Sequence, residues 1–253
     1  MLIPRVIPCL LLKGTGLVKT VRFADPKYVG DVINAVKIFN DKEVDEIILL
    51  DIEAHSGRGR IEWDLVNKTA SEAFMPMCYG GGVTSIDEIK RLFRAGCEKV
   101  SINTAAFENP RLLESAARAF GSQSIVAGID VKKDFLGRYR VVSHGGEKKQ
   151  AKDVVEWARA VERAGAGEIL LNSVDRDGTQ SGYDLELVKQ VANAVSVPVI
   201  ACGGAGKVQH FADAIASGAS AVAAGSLFVF RGPHRAVLIT YPERAELIRC
   251  LGR

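Results

Sequence analysis

A chain of 253 residues that is 47% hydrophobic can bury a large core, enough for one barrel-sized domain or two small ones. Its 33 basic and 30 acidic residues are interspersed and sum to +3, so composition supplies no footprint for nucleic acid or a membrane surface. Cys9, Cys78, Cys97, Cys202 and Cys250 show no metal-ligand spacing and sit mostly in or beside apolar runs, which reads as reduced small hydrophobes.

Met1 to Arg5 lacks a signal-peptide pattern, and no apolar run approaches the roughly 20 residues of a membrane span, so a cytoplasmic location is expected. An apolar strand over 6–12 is followed by what reads as a long loop over 13–30, with Gly14, Gly16, Lys19, Asp25 and Pro26. A helix near 31–42 leads to a strand over 46–51, and a helix near 62–73 leads to a strand over 76–79. Ser85 and Glu88 form a capping box for the helix that reaches Ala95, and a strand over 99–103 follows. Asn109 and Pro110 supply a cap and a first-turn proline to the next helix. A strand over 124–130 then precedes an inserted hairpin over 135–143. Helix 151–164, strand 168–173, helix 184–194, strand 197–201, helix 207–217, strand 219–225 and a last helix from His234 complete the chain. Eight apolar strands, each followed by a helix, predict an α/β fold: one (β/α)8 TIM barrel over 1–253, with a doubly wound open sheet as the alternative.

A half-length repeat favours the barrel. Pro76 and Pro198, Gly96 and Gly218, and Val100 and Val222 are each 122 positions apart, so strand, glycine turn, helix and next strand recur without a gap. Chemistry in such a barrel sits at the C-terminal ends of its strands. That places Lys13, Asp51, Gly80 to Gly82, Asn103, Thr104, Asp130, Asn172, Ser173, Cys202 to Gly204, Gly225 and Ser226 at one mouth. Tight turns use glycine for conformational reasons alone. Two matched glycine turns, each followed by a short polar end on the next strand, also let backbone N–H groups approach an anion. Facing each other across the mouth, they suit a ligand with an anionic group at either end.

Asp130 ends an otherwise apolar strand and is followed by Lys132 and Lys133. It reads either as a cap or lysine partner, or as a general acid or base held at the centre of the mouth. Overlaying the first strand on 125–132 at an offset of 119 sets Leu11 against Asp130, so the second half alone carries the carboxylate.

These residues carry a resemblance to the HisF family, the cyclase subunit of imidazole glycerol phosphate synthase. It covers essentially all 253 residues, with 100–106, 120–123, 165–171 and Asp175-Arg176-Asp177-Gly178-Thr179 as its most specific stretches. The resemblance implies a half-repeat barrel that uses ammonia made by a separate glutaminase subunit docked at the N-terminal face. It implies one phosphate site at Gly82, Asn103 and Thr104, and another at Asp177, Gly178, Gly204, Gly225 and Ser226. Lys19 would close over the ligand, and Asp130 would be one of two catalytic carboxylates. The family's other aspartate follows Cys-Leu on the first strand, where this chain has Leu11.

Arg5, Glu46, Lys99 and Glu168 stand at the starts of strands one, two, four and six, as solvated strand ends or as an ion-paired ring. They match the family's ammonia gate. A conduit without half of the catalytic pair is similar to the HisF-like branch that works with a glutaminase and a larger amidotransferase on nucleotide-linked sugars, installing acetamidino groups for surface polysaccharide. Segments 6–20, 74–76 and 234–239 resemble that branch. The histidine-pathway cyclase and a non-catalytic, ammonia-conducting docking subunit are the alternatives. No cofactor or metal is expected. His144 reads as a turn residue beside Gly145 and Gly146, or as a replacement proton donor at the mouth. His55, His210 and His234 read as surface residues, and Trp63 and Trp157 as packing.

Overall fold

The computed structural model describes residues 3–54, 61–232 and 234–252; His55 lies outside them. In chain order the strands are β1 (Arg5–Lys13), β2 (Gly16–Val21), β3 (Ala24–Asp31), β4 (Ile47–Asp51), β5 (Met77–Gly80), β6 (Lys99–Ile102), β7 (Ile125–Lys133), β8 (Tyr139–Ser143), β9 (Lys148–Lys149), β10 (Glu168–Ser173), β11 (Val199–Cys202), β12 (Ala221–Ala224), β13 (Phe230–Arg231) and β14 (Ala236–Val237). The helices are α1 (Val32–Asp41), α2 (Trp63–Glu72), α3 (Ile86–Ala95), α4 (Thr104–Glu108), α5 (Arg111–Phe120), α6 (Val154–Arg163), α7 (Leu185–Ala192), α8 (Gln209–Ala216), α9 (Ser226–Val229) and α10 (Arg244–Leu251).

Eight strands, β1, β4, β5, β6, β7, β10, β11 and β12, pair in parallel, and β12 returns to β1, so the sheet closes into the expected (β/α)8 TIM barrel. The strands run apolar because both faces are covered: one by helices, the other by the barrel's own interior. Helix ends follow local chemistry. Asp31, Asp153 and Asp184 cap α1, α6 and α7, and the Ser85–Glu88 box caps α3, which Gly96 ends in the left-handed conformation.

The repeat is present in three dimensions. Val32 and Val154, Trp63 and Leu185, Met77 and Val199, Lys99 and Ala221, and Thr104 and Ser226 begin matching elements, each pair 122 positions apart. Register fixes the first stave's offset as well. Leu11 pairs with Leu50 on β4, and Asp130 pairs with Asn172 on β10, so Leu11 and Asp130 hold equivalent places.

Three expectations are corrected. Residues 13–30 are not a loop but an antiparallel hairpin, β2 on β3; the outer strand is exposed over its first five residues and so lacks the burial alternation that marks a strand. Asn109 does not cap α5: it ends the short helix α4, donating its N–H to Ala105, and Pro110 opens α5 without a side-chain cap. No helix starts at His234. The chain forms the β13–β14 ribbon instead, and α10 begins only after Pro242, whose ring disfavours helical backbone at the residue before it.

Candidate active site

A cavity of about 710 Å³ occupies the C-terminal mouth of the barrel. Lys19, Asp51, Gly82, Asn103, Thr104, Asp130, Asn172, Asp177, Gly178, Gly204, Gly225 and Ser226 all line it, together with Leu11 and His144. Period-two alternation explains much of this convergence, because residues an even number of places apart on one stave share its inner face. Leu11, Leu50, Asn103, Asp130 and Asn172 are inward positions near the upper ends of their staves.

Asp130 is held by Asn103, whose Nδ2 donates to Oδ2 at 2.7 Å, with Asn172 beside it in strand register. Burial pushes its carboxyl up to about 7, against hydrogen bonds from Asn103 and Asn172 that favour the ionised form. Asp130 can therefore hold or release a proton near neutrality. The capping alternative fails, since a strand and its hairpin follow Asp130, and Lys133 instead reaches Asp184 at 3.4 Å.

The two glycine turns are close approaches rather than open space. A Cβ on Gly82 (φ +67°) would lie 2.6 Å from Ala54 Cβ, and one on Gly204 (φ +113°) would lie 2.2 Å from the Gly182 carbonyl oxygen. Beyond them the short helices α4 and α9 start at Thr104 and Ser226. The sequence reading missed both helices; the 122-residue repeat makes them equivalent. Thr104 Oγ1 accepts the His144 backbone N–H at 3.0 Å, which leaves its own proton free to donate elsewhere. The buried Ser226 Oγ has no partner among the described residues.

Lys19 lies on β2, with Nζ 2.9 Å from Asp177 Oδ1, while Thr20 Oγ1 donates to Oδ2 at 2.7 Å. Its stem crosses Gly225, where a Cβ would approach Lys19 Cε to 2.7 Å. The hairpin thus lies over Gly225 and Gly178, with its lysine paired to Asp177. Asp51 accepts the Glu53 and Ala54 N–H groups at 2.9 and 3.1 Å, and burial pushes its carboxyl up in spite of them. It shapes the turn behind Gly81 as well as lining the cavity. His144 occupies a left-handed turn (φ 52°), and both ring nitrogens are engaged: Nδ1 with Ser143 Oγ at 2.8 Å and Nε2 with Glu108 Oε1 at 3.1 Å. It is a turn residue that also borders the mouth. Leu50, Glu108 and Phe23 also line the cavity and were missed. The repeat could have found Leu50, which stands 122 places before Asn172.

At the opposite end, Arg5, Glu46, Lys99 and Glu168 form one ion-paired ring. Arg5 bonds both carboxylates through its two terminal nitrogens, and Lys99 Nζ lies 3.0 Å from Glu46 and 2.8 Å from Glu168. Burial opposes the Lys99 ammonium, but its hydrogen bond to Glu168 and the field of both carboxylates outweigh this and raise its pKa. Glu46 and Glu168 are 2% and 4% exposed, so the solvated-end alternative is set aside. Between ring and mouth lies a column containing Ile7, Cys9, Ile48, Cys78, Val126, Leu170 and Ile200. Among the described residues no group of His, Cys, Asp or Glu is placed to hold a metal, and no helix is long and apolar enough to cross a membrane.

A family model described as histidine biosynthesis protein matches residues 5–233. A Pseudomonas aeruginosa protein that carries the provisional name imidazole glycerol phosphate synthase subunit hisF2 is 54% identical over 96% of this chain and 97% of its own length. The imidazole glycerol phosphate synthase subunit HisF of Alkaliphilus metalliredigens is 47% identical over 90% of this chain and 91% of its own. That of Streptomyces avermitilis is 46% identical over 89% and 90%.

Proposed function

We propose that this chain, which belongs to the HisF branch of the histidine biosynthesis protein family, is the synthase subunit of a glutamine-dependent complex and acts as one barrel domain over 1–253. A glutaminase subunit docks at the N-terminal face and delivers ammonia through the ring of Arg5, Glu46, Lys99 and Glu168. The observation that carries this reading is that ring and mouth are two ends of one inward face, joined by an apolar column. An uncharged molecule crosses such a column far more easily than an ion. At the mouth, the Gly82 and Gly204 turns hold the anionic groups of an acceptor, Lys19 supplies a countercharge, and Asp130 moves the proton.

The acceptor in this reading is a nucleotide-linked sugar, to be converted with a larger amidotransferase into an acetamidino sugar for surface polysaccharide. Leu11 supports it, because a leucine cannot transfer a proton, and loss of a general acid or base typically costs about 10²- to 10⁴-fold in rate. The second reading is the histidine-pathway cyclase, favoured by the names of the Alkaliphilus and Streptomyces relatives. A third, a subunit that only conducts ammonia, requires that Asp130→Asn leave amidination intact.

The experiment is direct. Purified protein receives ammonium and the phosphoribulosyl substrate of imidazole glycerol phosphate synthesis. No cyclisation by the wild type, with activity appearing in Leu11→Asp, is the expected result. Turnover by the wild type at rates usual for a synthase overturns the sugar reading in favour of the second.

A further inference from the structure

The mouth is polarised across the repeat axis. On one side stand Asn103, Asp130 and Asn172, joined through the 2.7 Å Asn103–Asp130 hydrogen bond and the β7–β10 register. Shifting these positions by the repeat offsets gives Gly225, Leu11 and Leu50 on the other side. Leu11 and Leu50 are register partners on adjacent staves, and both border the cavity. Leu11 is 8% exposed, so the little surface it shows faces the cavity that it lines. Leu50 closes the wall further by packing over Gly80, where a Cβ would meet its Cδ2 at 2.8 Å.

The polar side is incomplete. The Oδ1 atoms of Asn103 and Asn172 are buried and have no partner among the described residues, and Asn172 is only 7% exposed. Unpaired buried acceptors invite N–H or O–H donors. The leucine side offers nothing to a hydroxyl and would leave one stranded.

We propose that Leu11 and Leu50 are specificity residues that select a bis-anionic acceptor with two unlike edges: a hydrogen-bond donor edge facing Asn103 and Asn172, and an apolar edge facing the leucines. A uniformly hydroxylated sugar phosphate has no such edge. The inference rests on the reading of the two glycine turns as anion sites.

Two probes of equal length and charge test it: pentane-1,5-diol bisphosphate, and a pentitol 1,5-bisphosphate that carries hydroxyls along its chain. Affinities for both are measured by titration calorimetry, at one ionic strength, on the full chain and on Leu11→Asn, Leu50→Asn and Leu11→Met. Phosphate contacts and contacts to the asparagines are common to wild type and variant. They therefore cancel when the ratio of the two affinities is compared between proteins. The expected result is a ratio that shifts toward the pentitol by roughly fivefold or more in each asparagine variant and stays within about twofold of wild type in Leu11→Met. Both probes binding, with the ratio unmoved in both asparagine variants, overturns the apolar edge and leaves the anion sites standing. Neither probe binding overturns the anion sites, and this inference with them.

Discussion

Asp130 binds its proton more tightly in the folded chain, where its carboxyl titrates at about 7, than in the unfolded chain, where it titrates near ~4. Its contribution to stability is therefore most favourable below about pH 4 and is lost as pH rises to about 7. Asp130→Asn should raise stability at pH 8 by on the order of 1–3 kcal/mol, discounted for the open mouth, and change it little at pH 4. Urea unfolding at the two pH values checks this, and an equal effect at both would contradict it. In its proposed role the same group would set the pH dependence of turnover: the wild-type kcat/KM profile should show an inflection near 7 that Asp130→Asn lacks, with activity reduced about 10²- to 10⁴-fold. At this scale the sequence made Asp130 legible because a carboxylate ended an apolar run, and it made Leu11 legible because the repeat could be overlaid. The hydrogen bonds that occupy His144 were not legible: Glu108 and Ser143 meet its ring only after α4 and the β8–β9 turn have packed.

Hairpin β2–β3 shows what local pattern hides. In the other half β8 ends in a buried run, Val141 to Ser143, and its hairpin with β7 could be read from sequence, whereas β3 faces solvent for most of its length and contains Pro26. The first arm is secured over the mouth by Asp177, which takes Lys19 and Thr20 on its carboxylate and the Arg22 N–H on its backbone oxygen. Asp177→Asn leaves the Lys19 ammonium, 7% exposed, without its counterion in the closed arm. Unpairing a buried charge costs about 3 kcal/mol or more, a cost the arm can escape by opening. Amide exchange over Val18 to Arg22 should therefore quicken at least roughly tenfold in that variant, while β4 and β10 exchange as before. Unchanged exchange in the arm would show that Asp177 does not fasten it. The helix expected from His234 failed for a related reason, because a ribbon of two residues a side is too short to display a period.

Across the whole molecule, the ring at one end and the carboxylate at the other make separable predictions. Lys99→Met leaves two carboxylates, each under 5% exposed, sharing Arg5 alone, and should destabilise the fold by about 3 kcal/mol while removing one side of the proposed ammonia entrance. In the assembled complex, glutamine hydrolysis should then run ahead of product formation, whereas Asp130→Asn should stop product with glutaminase binding intact. Coupled assays of glutamate and product, with sedimentation of the complex, separate the two. The barrel was legible from eight apolar runs at regular spacing, and its closure from the repeat. The convergence of four distant charges was not, since 163 positions separate Arg5 from Glu168 and only a closed sheet brings them together.

Even spacing along the staves also limits how such a barrel can diverge. Glu46 and Leu50, Lys99 and Asn103, and Glu168 and Asn172 each sit four positions apart, and Arg5 and Leu11 six, so every pair keeps one phase. Deleting a single residue within a stave would turn one member of the pair outward and dismantle an end of the barrel that the deletion never touched. Changes of length are thereby diverted to the arms beyond the staves, where β2–β3 and β8–β9 lie. Inside the staves, a new chemistry has to come by replacement, one inward side chain at a time.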